Sequence, residues 1–200
     1  MITQYDQFDI SMWKLRQNVP IIYVSIIGLS GTGKTNLAYL LYDRFFFDYH
    51  LLHYEQYFDN DGNLLLMDII NEIKQKRKVY VIFDDLSFIA RTYQKEITQF
   101  LSELMRIRHY IQQGVLVFIA HYRKSILPVL REAHIIALTS LFQNQEQYYS
   151  SIFTYDAMKQ FEYRTKNFEH YALVWLYGDI YTVKVSLSDS YVEKFGVWNG

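Results

Sequence analysis

The chain has 200 residues, half of them hydrophobic, and a formal net charge of −1, which predicts a folded domain with a large core and excludes a disordered chain. Its apolar runs are too short to span a bilayer and its N-terminus shows no signal-peptide pattern, so we expect a soluble intracellular protein. The absence of cysteine excludes disulfides and thiolate metal sites, and the charge excludes a basic surface over the whole molecule.

Short apolar runs alternate with helical patterns along most of the chain. Runs rich in β-branched residues predict strands at residues 21–27, 79–83, 115–120 and 135–138, with a further strand at 49–57. Apolar residues at helical spacing predict helices at residues 36–46, 64–76 and 92–112. This alternation predicts an α/β fold with a central, mostly parallel sheet flanked by helices.

The pattern changes after residue 142. Residues 152–167 have helical spacing, and two apolar runs at 171–176 and 180–185 flank a turn sequence that contains Gly178, which is typical of a β-hairpin. We therefore predict a single domain over residues 1–200, with a core at about 20–140 and a C-terminal extension at about 143–200 made of a helix and a hairpin. Residues 186–200 carry no interpretable pattern.

A complete phosphate-binding motif, G-x-x-x-x-G-K-T, lies between the first strand and the first of these helices. It consists of Gly28, Leu29, Ser30, Gly31, Thr32, Gly33, Lys34 and Thr35. Such a P-loop turns its backbone N–H groups toward phosphates at a helix N-terminus, its lysine reaches the β- and γ-phosphates, and its threonine hydroxyl binds Mg²⁺. We predict a site for ATP and Mg²⁺; a plain glycine-rich turn, the alternative, leaves Lys34 and Thr35 without a role.

Two acids, Asp84 and Asp85, directly follow the strand at 79–83, as in a Walker B motif. We expect Asp84 to hold Mg²⁺, mostly through water, and Asp85 to act as general base toward the attacking water. The alternative is that the pair only caps the next segment. Tandem acids favour hydrolysis over transfer to a small acceptor, and the arginine-rich lid of a nucleotide kinase is not evident.

Polar residues near the strand at 115–120 complete the candidate site. His121 follows that strand and is expected to sense the γ-phosphate or orient the attacking water; a solvated strand end is the alternative. Arg106, Arg108 and Arg131 are candidates for an arginine finger supplied to a neighbouring subunit, a contribution of about 10³–10⁵ in rate. Surface solvation is the alternative for each arginine.

A basic cluster precedes the strand at 79–83 and is formed by Lys74, Lys76, Arg77 and Lys78. It lies at the opposite end of that strand from the acids. Contact with the phosphates of a polymer is one interpretation. A solvated helix C-terminus, favourable to the helix dipole, is the other.

These motifs and their order resemble the FtsK–HerA superfamily of P-loop motors, and within it the genome-packaging ATPases of turreted icosahedral archaeal viruses. The resemblance covers residues 21 to about 140, and its more specific parts are residues 106–121 and 127–131. It implies a ring, commonly a hexamer, with ATP sites between subunits, Arg108 or Arg106 as the finger, and Arg131 as an arginine of the packaging branch. Two departures are His121, where the family often has glutamine, and Asp85, where cellular members often have glutamate.

The resemblance implies Mg²⁺-dependent ATP hydrolysis that drives sequence-independent translocation of double-stranded DNA into a preformed capsid. It also implies a homo-oligomeric ring, a capsid-vertex or membrane-associated virion protein as a further partner, and a place in the host cytoplasm or at the packaging vertex. Alternative functions are an ATPase for virion assembly or secretion, a nucleotide-regulated binding module, and a nucleoside or nucleotide kinase.

Overall fold

One seven-stranded sheet and seven α-helices make up the part of the chain that the computed structural model describes, which is residues 4–89, 92–121, 133–141, 152–166 and 170–196. The strands are β1 Ile21–Ile27, β2 His50–Tyr54, β3 Lys78–Asp84, β4 Gln113–Ala120, β5 Ile135–Leu138, β6 Tyr171–Leu176 and β7 Asp179–Lys184. The helices are α1 Gln4–Asn18, α2 Lys34–Leu41, α3 Leu66–Lys74, α4 Leu86–Ile89, α5 Gln94–Arg106, α6 Tyr155–Lys166 and α7 Asp189–Phe195. None of these described helices is long and apolar enough to cross a bilayer.

The sheet has the order β2-β3-β4-β1-β5-β6-β7. The first five strands in this order pair in parallel, and β6 and β7 are antiparallel additions at one side. The carboxyl ends of the five parallel strands therefore meet at one edge of the sheet. Because β4 lies between β1 and β3, its end lies between the P-loop strand and the acidic strand, and the predicted P-loop NTPase fold with a mostly parallel sheet is confirmed.

Both faces of the sheet are covered, which is why its central strands read as continuous apolar runs. Side chains of β3 alternate between two layers: Val81 and Phe83 pack with α3, α5 and α6 on one face. Tyr80 and Ile82 pack with α1 and α2 on the other. The helices on the two faces thus bury the sheet and leave a cleft open at its carboxyl edge.

Several predicted boundaries differ from the structure. The helix expected at 36–46 ends as an α-helix at Leu41 and continues as a π-helical turn, Tyr42–Phe46, which places Phe45 and Phe46 in the core. The helix expected at 92–112 ends at Arg106 and passes into a 3₁₀ turn, Ile107–His109. The strand expected at 49–57 is shorter, His50–Tyr54. Helix-end geometry depends on packing with other elements, which periodicity alone does not report.

The C-terminal hairpin is confirmed. Tyr177 and Gly178, between β6 and β7, have φ angles of 50° and 95°, and positive φ at both central residues is what the twist of a two-residue hairpin favours. The helices α1 and α7 were not predicted. Helix α1 buries Phe8, Met12 and Leu15 at helical spacing, but most of the residues around them in the sequence are polar or charged.

The packing of α5 on the sheet predicts a large effect of one substitution. Phe100 is fully buried, and its ring lies 5.6 Å from that of Phe83 in an edge-to-face arrangement. We expect Phe100→Ala to lower the free energy of unfolding by about 3–5 kcal/mol, because it leaves a cavity between helix and sheet. Met105→Ala is the matched control, since Met105 lies on the same helix and is 54% exposed; urea denaturation should show a change within about 0.5 kcal/mol for it. A small effect of Phe100→Ala would contradict this packing.

Candidate nucleotide-binding site

The P-loop connects the end of β1 to the start of α2 and presents open backbone. Gly31 and Gly33 have φ angles of 75° and 79°, a left-handed conformation that glycine adopts without steric cost. Gly33 is also the N-cap of α2, so the first N–H groups of that helix are not covered by a capping side chain. This arrangement gives the positive end of a helix dipole and a set of free donors, which bind anions such as phosphate.

Two residues after β5 fix the loop in place. The backbone N–H of Leu29 donates to Ser140 Oγ at 2.8 Å, and the Thr32 and Thr139 hydroxyl oxygens lie 2.6 Å apart. A Cβ on Gly28 would lie only 2.1 Å from Thr139 Oγ1, so glycine is required by this close approach. Sequence reasoning missed Thr139 and Ser140, although two hydroxyl residues directly after a short apolar strand were a usable signal.

Lys34 lies inside the site and is only 5% exposed. Its ammonium donates to the Leu29 carbonyl at 2.6 Å and lies 3.1 Å from His121 Nδ1. Burial lowers the pKa of Lys34, although the charges of Asp84 and Asp85 oppose this shift. The ammonium is therefore held at the junction of the P-loop and the carboxyl ends of β3 and β4.

Asp84 is positioned next to the P-loop threonine. Thr35 Oγ1 donates to Asp84 Oδ2 at 2.9 Å, and the Tyr57 hydroxyl donates to the Asp84 carbonyl at 2.8 Å. Burial alone would raise the pKa of Asp84, but the His53 imidazole and the Thr35 hydroxyl lower it below its usual value. A hydroxyl and an ionised carboxylate at this distance are the hard oxygen ligands that Mg²⁺ prefers, so the residues present fit the predicted metal.

Asp85 has a strained backbone and a specific partner. Its φ angle is 54°, which is uncommon for a residue with a side chain and is found at functional sites. Asp85 Oδ2 lies 2.8 Å from His121 Nε2. Because the Lys34 ammonium can only donate to Nδ1, the neutral imidazole carries its proton on Nε2 and donates it to Asp85. Burial raises the pKa of Asp85, and His121 opposes that increase.

His53 on β2 is a further residue of this site that the sequence did not reveal. Its side chain is 2% exposed, and its Nε2 lies 3.8 Å from Asp84 Oδ2. Its Nδ1 lies 2.9 Å from the Tyr39 hydroxyl and 3.0 Å from the Lys194 ammonium. The imidazole therefore lies between the Asp84 carboxylate and the C-terminal helix α7. A histidine inside a half-buried strand gives no local signal of such a role.

These groups line one open cleft of about 670 Å³ at the carboxyl edge of the sheet, a volume suited to a nucleoside triphosphate. One wall is formed by Ser30, Gly31, Gly33, Lys34, Thr35, Asn36, Glu55, Asp84, Asp85 and His121. The other wall comes from the C-terminal extension and consists of His170, Val185, Leu187 and Tyr191. Sequence reasoning identified most of the first wall and missed the second.

The predicted arginines lie elsewhere. Arg106 is solvent-exposed at the end of α5 and lies 3.4 Å from Glu103. Burial raises the pKa of Tyr23 in the first half of β1, and the charge of Arg108 opposes this rise. Neither arginine lines the cleft of its own subunit. Arg131 is outside the described residues.

The basic cluster lies at the opposite edge of the sheet, as predicted. Lys76, Arg77 and Lys78 line a second, larger cleft of about 1060 Å³ there, together with amide side chains such as Gln75 and Gln112. Arg77 Nε donates to Gln112 Oε1 at 2.8 Å, and Lys78 lies 3.3 Å from Asp48. This cleft is separate from the P-loop and has no acid pair like Asp84 and Asp85 among its lining residues.

The close approach of Gly28 and Thr139 can be tested with a second-site substitution. Gly28→Ala should weaken MgATP binding more than tenfold, because the added Cβ displaces the loop from β5. Thr139→Ala removes the atom that lies 2.1 Å away but leaves Thr32 Oγ1 at 2.8 Å, so the double variant should recover part of the lost affinity. Calorimetric titration of both single variants and the double variant measures this coupling. If the double variant lost as much binding free energy as the two single variants together, the result would contradict a direct contact between positions 28 and 139.

No protein-family model matches the chain, and no curated protein matches it in sequence. Solved structures do resemble it. B204, the DNA-packaging ATPase from Sulfolobus turreted icosahedral virus, has 14% identity and a TM-score of 0.59 over 82% of this chain and 98% of that chain. The genome packaging NTPase B204 from Sulfolobus turreted icosahedral virus 2, in complex with ATP-γS, has 14% identity and a TM-score of 0.56 over 84% and 100% of the two chains.

A third similar structure is the N-terminal domain of zonular occludens toxin from Neisseria meningitidis, with 14% identity and a TM-score of 0.55 over 88% of this chain and 98% of that chain. These neighbours are P-loop ATPases of the FtsK–HerA type, the group that the motifs resemble. At such identities the likeness shows a shared architecture, and this chain therefore has the P-loop NTPase fold of those proteins.

Proposed function

We propose that this protein is a Mg²⁺-dependent ATPase that works as a ring and translocates double-stranded viral DNA into a preformed capsid. The observation that carries the ATPase is the convergence of separate sequence motifs in one cleft. Lys34 and Thr35 of the P-loop, Asp84 and Asp85 after β3, and His121 after β4 are brought together there. The two alternatives for these motifs were a plain glycine-rich turn and an acid pair that only caps the next segment. Neither alternative explains why the motifs come together in one cleft.

The chemistry of hydrolysis follows from these positions. The loop N–H groups and the Lys34 ammonium hold the phosphates, and Thr35 and Asp84 would hold Mg²⁺, which neutralises charge on the β- and γ-phosphates when bound. Asp85 takes a proton from the attacking water, while the hydrogen bond from His121 fixes the orientation of its carboxylate. The raised pKa of Asp85 makes it a better proton acceptor than an ordinary surface carboxylate.

The ring and the DNA are supported by the packaging ATPases that share the fold and by the positions of the arginines. Since Arg106 and Arg108 do not line their own cleft, either one acts on ATP only from a neighbouring copy. A chain of net charge −1 needs a local basic surface for DNA, and Lys76, Arg77 and Lys78 supply one. Repetition around a ring would multiply this patch. We also propose that the protein acts in the host cytoplasm or at the packaging vertex, with a capsid-vertex or membrane-associated virion protein as a partner.

ATP hydrolysis by the purified protein, with and without linear double-stranded DNA, tests this function. We expect DNA to stimulate hydrolysis, the stimulation to rise with protein concentration as rings form, and added salt to remove it. Lys34→Ala should abolish hydrolysis, and Asp85→Asn should lower kcat by about 10²–10⁴. Lys95→Ala is the control, because Lys95 is exposed on α5 outside the cleft. Hydrolysis indifferent to DNA would instead indicate an ATPase for virion assembly or secretion.

Mixed rings test the arginine finger. Lys34→Ala and Arg108→Ala copies should each be inactive alone, because one lacks the P-loop lysine and the other the arginine that its neighbour needs. Mixing them should restore part of the activity, since an Arg108→Ala copy next to a Lys34→Ala copy has one complete site. The same experiment with Arg106→Ala separates the two candidates. If neither mixture regains activity, the finger is a different residue.

A further inference from the structure

The cleft has two chemically different walls, and the proposed hydrolysis uses only one. Lys34, Asp84, Asp85 and His121 act on phosphates, whereas the C-terminal wall offers Val185, Leu187 and Tyr191, which are largely apolar, and His170. Leu187 is 52% exposed. A leucine side chain has no part in phosphate chemistry, so its place in the same cleft as the P-loop suggests contact with another part of the ligand.

The topology of the hairpin brings this wall to the P-loop. Strand β6 runs antiparallel to β5, with Leu138 at the end of β5 paired to Leu173 near the start of β6. Because β7 returns antiparallel to β6, the residues before β6 and after β7 both lie at the carboxyl edge of the parallel strands. The N–H of Val185 donates to the His170 carbonyl at 2.7 Å, which extends the ladder by one pair and holds these two residues together.

Asn36 fixes the segment that carries Leu187. Its side-chain amide donates to the Ser186 carbonyl at 2.8 Å and accepts from the Ser188 N–H at 2.9 Å. The Ser188 hydroxyl caps α7 by accepting from the Tyr191 N–H at 3.1 Å, and it donates to Asp43 on the π-helical turn. Leu187 therefore lies between two backbone groups held by one amide, so its position is set before any ligand binds.

The P-loop gives the direction in which a nucleotide must lie. Lys34 reaches the β- and γ-phosphates, and the N–H groups at the start of α2 cradle the α- and β-phosphates. The γ-phosphate end therefore faces Asp85 and His121, and the nucleoside leaves the loop beside Asn36. Asn36 is also the residue that holds Leu187 in place in the C-terminal wall.

We propose that the C-terminal extension forms the nucleobase site, with Leu187 packing against the flat face of the purine of a bound nucleoside triphosphate and the largely buried Val185 lining the same wall. This inference rests on the proposed ATP site and assigns its second half. Flat aromatic bases gain affinity by removing apolar surface from water, and Tyr191, whose ring packs 4.9 Å from that of Phe195, extends the same wall. The hairpin and α7 thus complete the site in the same subunit.

Tripolyphosphate has the phosphates of ATP but no nucleoside. Comparing the binding of the two ligands, both with Mg²⁺, therefore distinguishes the contribution of the C-terminal wall from that of the phosphate site. Calorimetric titration of the full chain should show that the wild-type protein binds ATP at least tenfold more tightly than tripolyphosphate. Leu187→Ala should weaken ATP binding by about three- to tenfold, as expected for one lost leucine contact, and Leu187→Asn by a similar or larger factor. Both variants should bind tripolyphosphate as the wild type does. Met105→Ala, also half-exposed but on α5, should change neither affinity.

Two results would overturn the nucleobase site and leave the phosphate site intact. One is unchanged ATP affinity in both Leu187 variants, and the other is an equal loss of ATP and tripolyphosphate affinity. Failure of the wild-type protein to bind either ligand would be a different result, because it would overturn the proposed ATP site itself. Far-ultraviolet circular dichroism and thermal unfolding of each variant show that an affinity loss does not come from unfolding.

Discussion

Parallel pairing of β1 with β4, and of β4 with β3, is the constraint on which the rest of the structure depends. It sets three strand ends side by side, and each end carries one part of the candidate site. Had β4 run antiparallel, His121 would lie at the far edge of the sheet, and Lys34 and Asp85 would have no common neighbour. The two buried layers of side chains keep this pairing in register, since a shift by one residue would turn apolar side chains such as Phe83 away from their layer.

Charge balance within the site follows from that pairing. The buried ammonium of Lys34 and the carboxylates of Asp84 and Asp85 lie close together in this site. Burial alone would disfavour the charged form of each group. Direct contacts offset this cost: Thr35 with Asp84, His121 with Asp85, and the Leu29 carbonyl with Lys34. The site is therefore arranged around unlike charges before a substrate enters, and the proposed chemistry requires little further reorganisation of polar groups.

The sequence predicted those parts of the site that are local in the chain. The P-loop is eight consecutive residues, and Asp84, Asp85 and His121 each directly follow an apolar strand, so strand order alone brings them together. Thr139 also directly follows an apolar strand, so the same signal was present for it and was overlooked. His53 lies inside β2, and its role depends on the pairing of strands that are distant in the sequence. The side chains of α7 were missed for the same reason: its residues are mostly polar or exposed, and it is held by Asn36 and Asp43, more than 140 positions away.

The double hydrogen bond of Asn36 has a practical consequence for how the protein is handled. One amide joins the first turn of the helix after the P-loop to the backbone on both sides of Leu187, and Lys194 near the end of α7 contacts His53 beside Asp84. Helix α7 is therefore coupled directly to the nucleotide cleft. A fluorophore attached to α7 would report on, and also disturb, the occupancy of the cleft, whereas the same group attached to α1 would lie on a helix that packs on the face of the sheet.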